Sequence, residues 1–238
     1  INILGVQRDD NFNIAIIGDS FVWGQGLRDD HRFVKLLQDK LNKIKKTKVF
    51  SFAFSGDNIF DNFAKYKSIK TMYDVDVFIF FLVGNDLLIR TPLRYKYDPS
   101  FSVIHYCNLL TGGGQIVDNL GSTNEPLTYK NPASLCLLDV MSRVYPKEKS
   151  IYFYTNEYPG FRLYIEAFRN TGHYMLSAKK TSNKVEYSQY WNGSGVKYDD
   201  WAYVSKKEKH PSPLFNKMFA DVLFDEIVFN PAWGFSKK

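Results

Sequence analysis

Hydrophobic and polar positions along the chain form short apolar runs separated by longer amphipathic segments. Runs of the strand type lie at residues 14–17, 49–54, 75–83, 150–155 and 174–178. Apolar residues recur at helical spacing in the segments 30–45, 59–69, 133–145, 158–169 and 213–228. Strands that alternate with helices in this way favour a parallel sheet with helices on both faces. We therefore predict an α/β fold, a three-layer α/β/α sandwich with a central, mostly parallel sheet.

The first three predicted strands each end in a polar turn. The run from Ile14 to Ile17 ends in Gly18-Asp19-Ser20, and the second run ends in Ser55-Gly56-Asp57-Asn58, which can also cap the following helix. The third run ends in Gly84-Asn85-Asp86. Because the carboxyl ends of parallel strands meet at one edge of a sheet, we expect Ser20, Gly56 and Asn85 to lie together there. Such a convergence is typical of an active site.

The periodicity fades between residues 91 and 131, where glycines and prolines are scattered among polar residues. We interpret this segment as an insertion that covers or shapes a substrate site. Its triplet Gly112-Gly113-Gly114 lacks the Lys-Ser/Thr ending of a phosphate-binding loop, which argues against nucleotide binding. A second aromatic-rich segment at 183–203 could contact a ligand such as a sugar, although most aromatic residues are simply buried.

Length and charge limit the function classes. The chain has 238 residues and fits a single domain over 1–238. Its net charge is +6, much of it from lysines between Lys40 and Lys48 that follow an amphipathic pattern. We interpret them as a solvated helix face rather than a nucleic-acid site, while a weak attraction to anionic glycans or membranes stays open.

The two cysteines and the start of the chain bear on where the protein acts. Cys107 and Cys136 have no metal-ligand spacing, and whether they pair is open. No apolar run is long enough to cross a bilayer. The sequence begins at Ile1 without a methionine or a signal-peptide pattern, so we expect that an upstream segment was removed or omitted.

Four sequence blocks resemble those of the SGNH hydrolase superfamily, the GDSL esterases and lipases. They are Gly18-Asp19-Ser20, residues 53–58, residues 81–86 and His210-Pro211. The resemblance implies an SGNH, flavodoxin-like fold without a cofactor or a metal. It also implies these roles: Ser20 as nucleophile, Gly56 and Asn85 as oxyanion donors, and His210 as base. The opening Asn2-x-Leu4-Gly5 and the motif G-D-S-F-x-x-G-x-G look like a subset found behind a membrane anchor in bacterial envelope proteins. That likeness implies a periplasmic or other extracytoplasmic location and a possible membrane tether upstream of Ile1.

The implied chemistry has one gap. A serine hydroxyl becomes a good nucleophile when a base such as His210 removes its proton, and oxyanion donors then stabilise the tetrahedral intermediate. The family usually has an aspartate three residues before the histidine, but this chain has Lys207 there. A lysine cannot orient an imidazolium. Either Glu208, Asp199 or Asp200 takes over, or a Ser-His dyad works with a backbone carbonyl, or the site is degraded; we favour the dyad.

From these residues we predict a serine ester hydrolase with an acyl-Ser20 intermediate. Its expected substrate is an acylated carbohydrate or another small ester, from which it removes or transfers an acetyl group. Water and a sugar hydroxyl are alternative acceptors, and the sequence does not decide between them. The alternatives are a lipase or lysophospholipase-type esterase and a non-catalytic glycan-binding or assembly module that retains the fold.

Overall fold

The fold is built on a five-stranded, all-parallel sheet. The computed structural model describes residues 10–83, 132–155, 159–178, 191–192, 195–196, 204 and 210–235. The strand order is β2-β1-β3-β4-β5. The strands are β1 Phe12–Gly18, β2 Thr47–Ala53, β3 Val77–Leu82, β4 Ser150–Tyr154 and β5 Tyr174–Ser177. This is the flavodoxin-type order of doubly wound α/β folds, and it confirms the predicted parallel sheet.

The helices alternate with these strands as predicted. They are α1 Ser20–Trp23, α2 Phe33–Leu41, α3 Ile59–Met72, α4 Pro132–Val144, α5 Pro159–Asn170 and α6 Pro213–Phe229. Short 3₁₀ turns lie at Asp29–His31 and Pro231–Trp233, and a two-stranded antiparallel ribbon joins β6 Trp191–Asn192 to β7 Gly195–Val196.

The helix predicted over residues 30–45 is shorter in the structure. Asp29–His31 forms a separate 3₁₀ turn, and α2 ends at Leu41. The Asn42 side chain then accepts the backbone N–H of Thr47 at 2.8 Å, which turns the chain into β2. Ile44, which the predicted helix over 30–45 included among its regularly spaced apolar residues, therefore falls in a turn and is 57% exposed.

Two hydrophobic cores, one on each face of the sheet, join the sheet to the helices that form the two outer layers. Ile14 and Ile16 of β1 belong to the core beneath α2 and α6, whereas Ala15 and Ile17 belong to the core beneath α3, α4 and α5. The strands β1, β3 and β4 are buried along their whole length. Burial on both faces explains why their sequences are continuously apolar rather than alternating. The predicted three-layer sandwich is confirmed.

The register of the sheet aligns the carboxyl ends of its first three strands. Gly18 at the end of β1 pairs with Ala53 at the end of β2, and Ile17 pairs with Phe80 of β3. Ser20 and Gly56 follow those strand ends by two and three residues. The turns after β1 and β2 therefore emerge side by side at one edge of the sheet.

Several predictions concern residues that the structure does not describe. The insertion at 91–131, Cys107 and most of the aromatic segment 183–203 lie outside the described residues, and the single-domain assignment stays a prediction. Cys136, on α4, is disulfide-bonded. Within the described parts of the chain, no helix is both long enough and apolar enough to cross a membrane.

Candidate active site

Ser20 is the first residue of α1, directly after a sharp turn at the end of β1. Asp19 caps this helix: its Oδ1 accepts the N–H of Phe21 at 2.9 Å, and its Oδ2 lies 3.4 Å from the Ser20 Oγ. The turn requires glycine at position 18, because a Cβ there would lie 2.5 Å from Cγ2 of Val22. Asp19 is fully buried and Ser20 nearly so. The serine is thus held in place by packing and by the Asp19 cap.

The loop that follows α1 lies against the segment that carries His210. Gly24 and Gly26 both have positive φ, 72° and 80°, which favours glycine and accounts for the G-x-G spacing after the serine. A Cβ on Gly26 would lie 3.4 Å from Cγ1 of Val204. The N–H of Val204 in turn donates to the carbonyl of His210 at 2.9 Å. Val204 therefore links the loop that carries Gly26 to His210.

Gly56 lies in a turn that its neighbours hold in one conformation. The N–H of Asp57 donates to the Phe54 carbonyl at 3.2 Å, and the Asp57 carboxylate accepts the Phe54 N–H at 2.6 Å and forms an ion pair with Lys65. Asn58 then begins α3 with a capping box, as the sequence predicted. Gly56 has a φ of 83° and no atom within 4 Å of a Cβ built on it. Hydrogen bonds within the turn therefore fix its conformation, and the side where a side chain would point is open.

His210 lies beside the residue that follows the serine. Its ring centroid is 5.8 Å from that of Phe21, with an interplanar angle of 59°. The side chain is half-buried, and the next residue, Pro211, is buried. Ser212 then caps α6 by accepting the N–H of Phe215 at 3.2 Å. The structure thus brings His210 to the same edge of the sheet as Ser20.

Asn216 is a site-supporting residue that the sequence reasoning missed. It is fully buried, and its Oδ1 accepts the N–H of Phe33 at the start of α2 at 3.0 Å. Its Nδ2 donates to the carbonyls of Pro211 and Ser212 at 3.1 and 3.0 Å. One side chain therefore joins the segment directly after His210 to α2. The available signal was a polar residue within the apolar stripe of α6.

The remaining predicted site residues lie outside the described residues. They are Asn85, the candidate acids Glu208, Asp199 and Asp200, and Lys207. Their roles, and the choice between a dyad and a relocated acid, stay predictions.

The other histidines have different environments. His31 is half-exposed on the 3₁₀ turn, as expected for a surface residue, and His105 lies outside the described residues. His173 is buried, with Nδ1 2.9 Å from the Thr171 Oγ1 and Nε2 3.1 Å from the Tyr145 carbonyl. Burial lowers the pKa of His173, which favours the neutral ring. Nδ1 also lies 3.1 Å from the Phe168 carbonyl, so both ring nitrogens contact groups of the protein. His173 is a core residue.

The buried Ser20 after β1, the open Gly56 turn after β2 and His210 before α6 all lie at the carboxyl edge of the flavodoxin-type sheet. The class of protein expected from this placement is a serine acyl hydrolase. A family model described as GDSL-like Lipase/Acylhydrolase matches residues 14–223. The chain belongs to this family. A search of curated proteins found no match.

Solved structures of the same class share the fold at low sequence identity. The lipase/acylhydrolase from Enterococcus faecalis is 13% identical, with a TM-score of 0.51 and coverage of 91% of this chain and 95% of that one. The acetylxylan esterase Axe2 from Geobacillus stearothermophilus is 15% identical, with a TM-score of 0.51 and coverage of 95% and 98%. LAE5, an alpha/beta hydrolase from the metagenome of Lake Arreo in Spain, is 14% identical, with a TM-score of 0.52 and coverage of 98% and 100%.

Proposed function

We propose that this chain is a serine ester hydrolase that removes or transfers an acetyl group on a carbohydrate through an acyl-Ser20 intermediate. The observation that carries the proposal is the meeting of the Ser20 turn, the open Gly56 turn and the His210 ring at one edge of the sheet. Family membership supports the ester chemistry. The acetylxylan esterase name of one structural neighbour favours an acetylated sugar over a long-chain ester.

The reaction follows from the roles of these residues. His210 takes the proton of the Ser20 hydroxyl as its oxygen attacks the ester carbonyl carbon. The N–H groups of Ser20 and Gly56, with the Asn85 side chain, stabilise the oxyanion of the tetrahedral intermediate. The intermediate collapses to an acyl-serine, and the alcohol leaves with the proton from His210. Water, or the hydroxyl of an acceptor sugar, then loses a proton to His210 and attacks the acyl carbon. The bond between the acyl carbon and the Ser20 oxygen breaks, and His210 returns the proton to that oxygen.

An extracytoplasmic location is part of the proposal. The disulfide at Cys136 supports it, because disulfides persist in oxidising compartments and are rare in the cytosol. A membrane tether upstream of Ile1 fits the same location. Fractionation of cells that express the native gene tests this point: recovery of the protein in the cytosolic fraction with a free Cys136 thiol contradicts it.

Turnover of 4-nitrophenyl acetate and of an acetylated xylo-oligosaccharide tests the activity. Ser20→Ala should lower kcat for both by at least about 1,000-fold, because no acyl-enzyme can form. Ser68→Ala, on the exposed face of α3, is the matched control and should leave turnover unchanged. Circular dichroism checks that both variants fold. Activity of more than a few per cent in Ser20→Ala contradicts the proposal.

A non-catalytic glycan-binding module is the second candidate, and Lys207 in the usual place of the acid is the observation that favours it. A fluorophosphonate probe separates the two functions. An enzyme should be labelled at Ser20, and His210→Ala should lose most of that labelling. A binding module should show no labelling that depends on His210.

A further inference from the structure

Two exposed aromatic side chains lie together beside the proposed active site. Trp23 is 46% exposed and Phe54 is 66% exposed, and their rings stack with centroids 5.7 Å apart and planes 25° apart. Trp23 is the last residue of α1, the helix that begins at Ser20, and Phe54 follows β2 directly, two residues before Gly56. The pair therefore bridges the serine turn and the glycine turn.

Charged side chains hold both rings. The Arg32 guanidinium lies 6.0 Å from the centroid of the Trp23 ring, and its stem packs where a Cβ on Gly24 would be. Lys65 lies 5.8 Å from the centroid of the Phe54 ring. Asp29 and Asp57 pair with these two cations. Each exposed ring therefore has a cation and the carboxylate partner of that cation beside it.

This combination is suited to a sugar. A pyranose ring presents C–H groups that pack on aromatic rings, together with hydroxyls that bond to charged side chains. A long acyl chain, in contrast, needs an enclosed apolar groove, and ion pairs at its border add nothing to its binding. The open rings bordered by Arg32, Lys65 and their carboxylates match the sugar better.

The distance between Ser20 and Trp23 also fits a sugar ring. Residues three apart on a helix lie on the same face, with Cβ atoms about 5–6 Å apart, so Ser20 and Trp23 are neighbours. That separation is close to the width of one sugar ring. We propose that Trp23 and Phe54 form a binding platform for a pyranose ring of the substrate's alcohol part, which places an acetyl ester on that ring at Ser20. The platform rests on the proposed function and names the residues that bind the sugar.

The test compares two substrates in each variant, an acetylated xylo-oligosaccharide and 4-nitrophenyl acetate. The measured quantity is the ratio of their kcat/KM values. Trp23→Ala and Phe54→Ala should each lower this ratio by about 10-fold, mainly through KM for the sugar, because stacking on the ring is lost. Trp23→Tyr and Phe54→Tyr should restore most of it. Phe229→Ala, which removes another exposed aromatic residue at the far end of α6, is the matched control and should leave the ratio unchanged.

Two outcomes overturn the platform: a ratio that does not change in the alanine variants, and a selective loss on a 4-nitrophenyl ester of a long-chain acid instead of the sugar ester. A direct binding measurement separates this failure from failure of the esterase function. Calorimetric titration of Ser20→Ala with the oligosaccharide should show binding. Adding Trp23→Ala to this variant should weaken the binding by about 10-fold, whether or not the parent protein turns over esters. Equal affinity in both proteins contradicts the platform.

Discussion

Replacement of Asn216 by alanine should both destabilise the protein and impair catalysis. The change removes the acceptor of the Phe33 N–H and the donor to the Pro211 carbonyl, while the Ser212 carbonyl keeps its backbone bond from the Asn216 N–H. Each buried polar group left without a partner costs about 1–3 kcal/mol. With two such groups, we expect the free energy of unfolding to fall by about 2–6 kcal/mol, measured by urea denaturation followed by circular dichroism.

The catalytic effect arises because Pro211 directly follows His210. When the Pro211 carbonyl loses its anchor to α6, the His210 ring can shift, and a displacement of about 1 Å can cost about 100-fold in rate. We expect kcat for 4-nitrophenyl acetate to fall by about 10- to 100-fold, with a smaller change in KM, at temperatures where the variant is fully folded. Lost stability with an unchanged kcat would show that Asn216 supports the fold without positioning the base.

Asn216→Asp adds a test by pH. Its carboxylate still accepts the Phe33 N–H but faces two carbonyls that need a donor, whereas the protonated acid can donate to one of them. Burial raises the pKa of such a carboxyl group above its unfolded value. The penalty is therefore absent below the unfolded pKa and grows as pH rises through the folded pKa. We expect the stability deficit relative to the wild type to shrink as pH falls.

The matched control is Asn62, a buried asparagine on α3 whose side-chain atoms have no hydrogen-bond partner among the described residues. Asn62→Ala removes a similar volume but breaks no hydrogen bond of the described residues, so it should lower the free energy of unfolding less than Asn216→Ala does. An equal loss of stability in the Asn62 and Asn216 variants would refute the reasoning from hydrogen bonds, since volume changes alone would then explain both.

Three further predictions concern catalysis and pH. Asn85→Ala should lower kcat by about 100-fold or more with a smaller change in KM, as steady-state kinetics would show; an effect confined to KM makes Asn85 a substrate-binding residue. If the dyad is correct, Glu208→Gln, Asp199→Asn and Asp200→Asn should each keep kcat within about threefold, and a collapse in any one of them with an intact fold identifies the relocated acid. The pKa of His173 is lowered in the folded state. Its contribution to the free energy of unfolding should therefore be fully present above the unfolded pKa of 6.5 and be lost as pH falls through the folded pKa. Urea midpoints at pH 7.5 and 5.5 check this, and His173→Gln should reduce the difference.

The sheet could be predicted from the sequence because its signal is local. Runs such as Val75 to Val83 are apolar over a full strand length, and the polar turns after them mark where the strands end. Helix boundaries are harder to predict than strands, because the predicted helix over 30–45 includes Ile44 and the observed helix does not. The apolar spacing continues past Leu41, but the Asn42 side chain bonds to Thr47 and ends the helix before Ile44.

The supporting residues of the site could not be predicted, because their partners are distant in sequence. Asn216 bonds to the Phe33 N–H 183 residues away, and no local pattern shows that contact. Phe54 was expected to be part of a strand, but whether a residue beside that strand is exposed depends on the strand order. Here β2 is at the edge of the sheet, and the exposed Phe54 ring that follows it stacks on Trp23.

The packing of α6 against α2 has a consequence for the newly made protein. Ser20, the proposed nucleophile, begins α1, whereas His210 and its Asn216 anchor lie about 190 residues later, just before and within α6. A chain stalled before residue 210 contains the serine turn and the five strands of the main sheet but lacks His210, the proposed base. With Ser20 and His210 in their proposed roles, the appearance of ester turnover during synthesis would report the docking of α6.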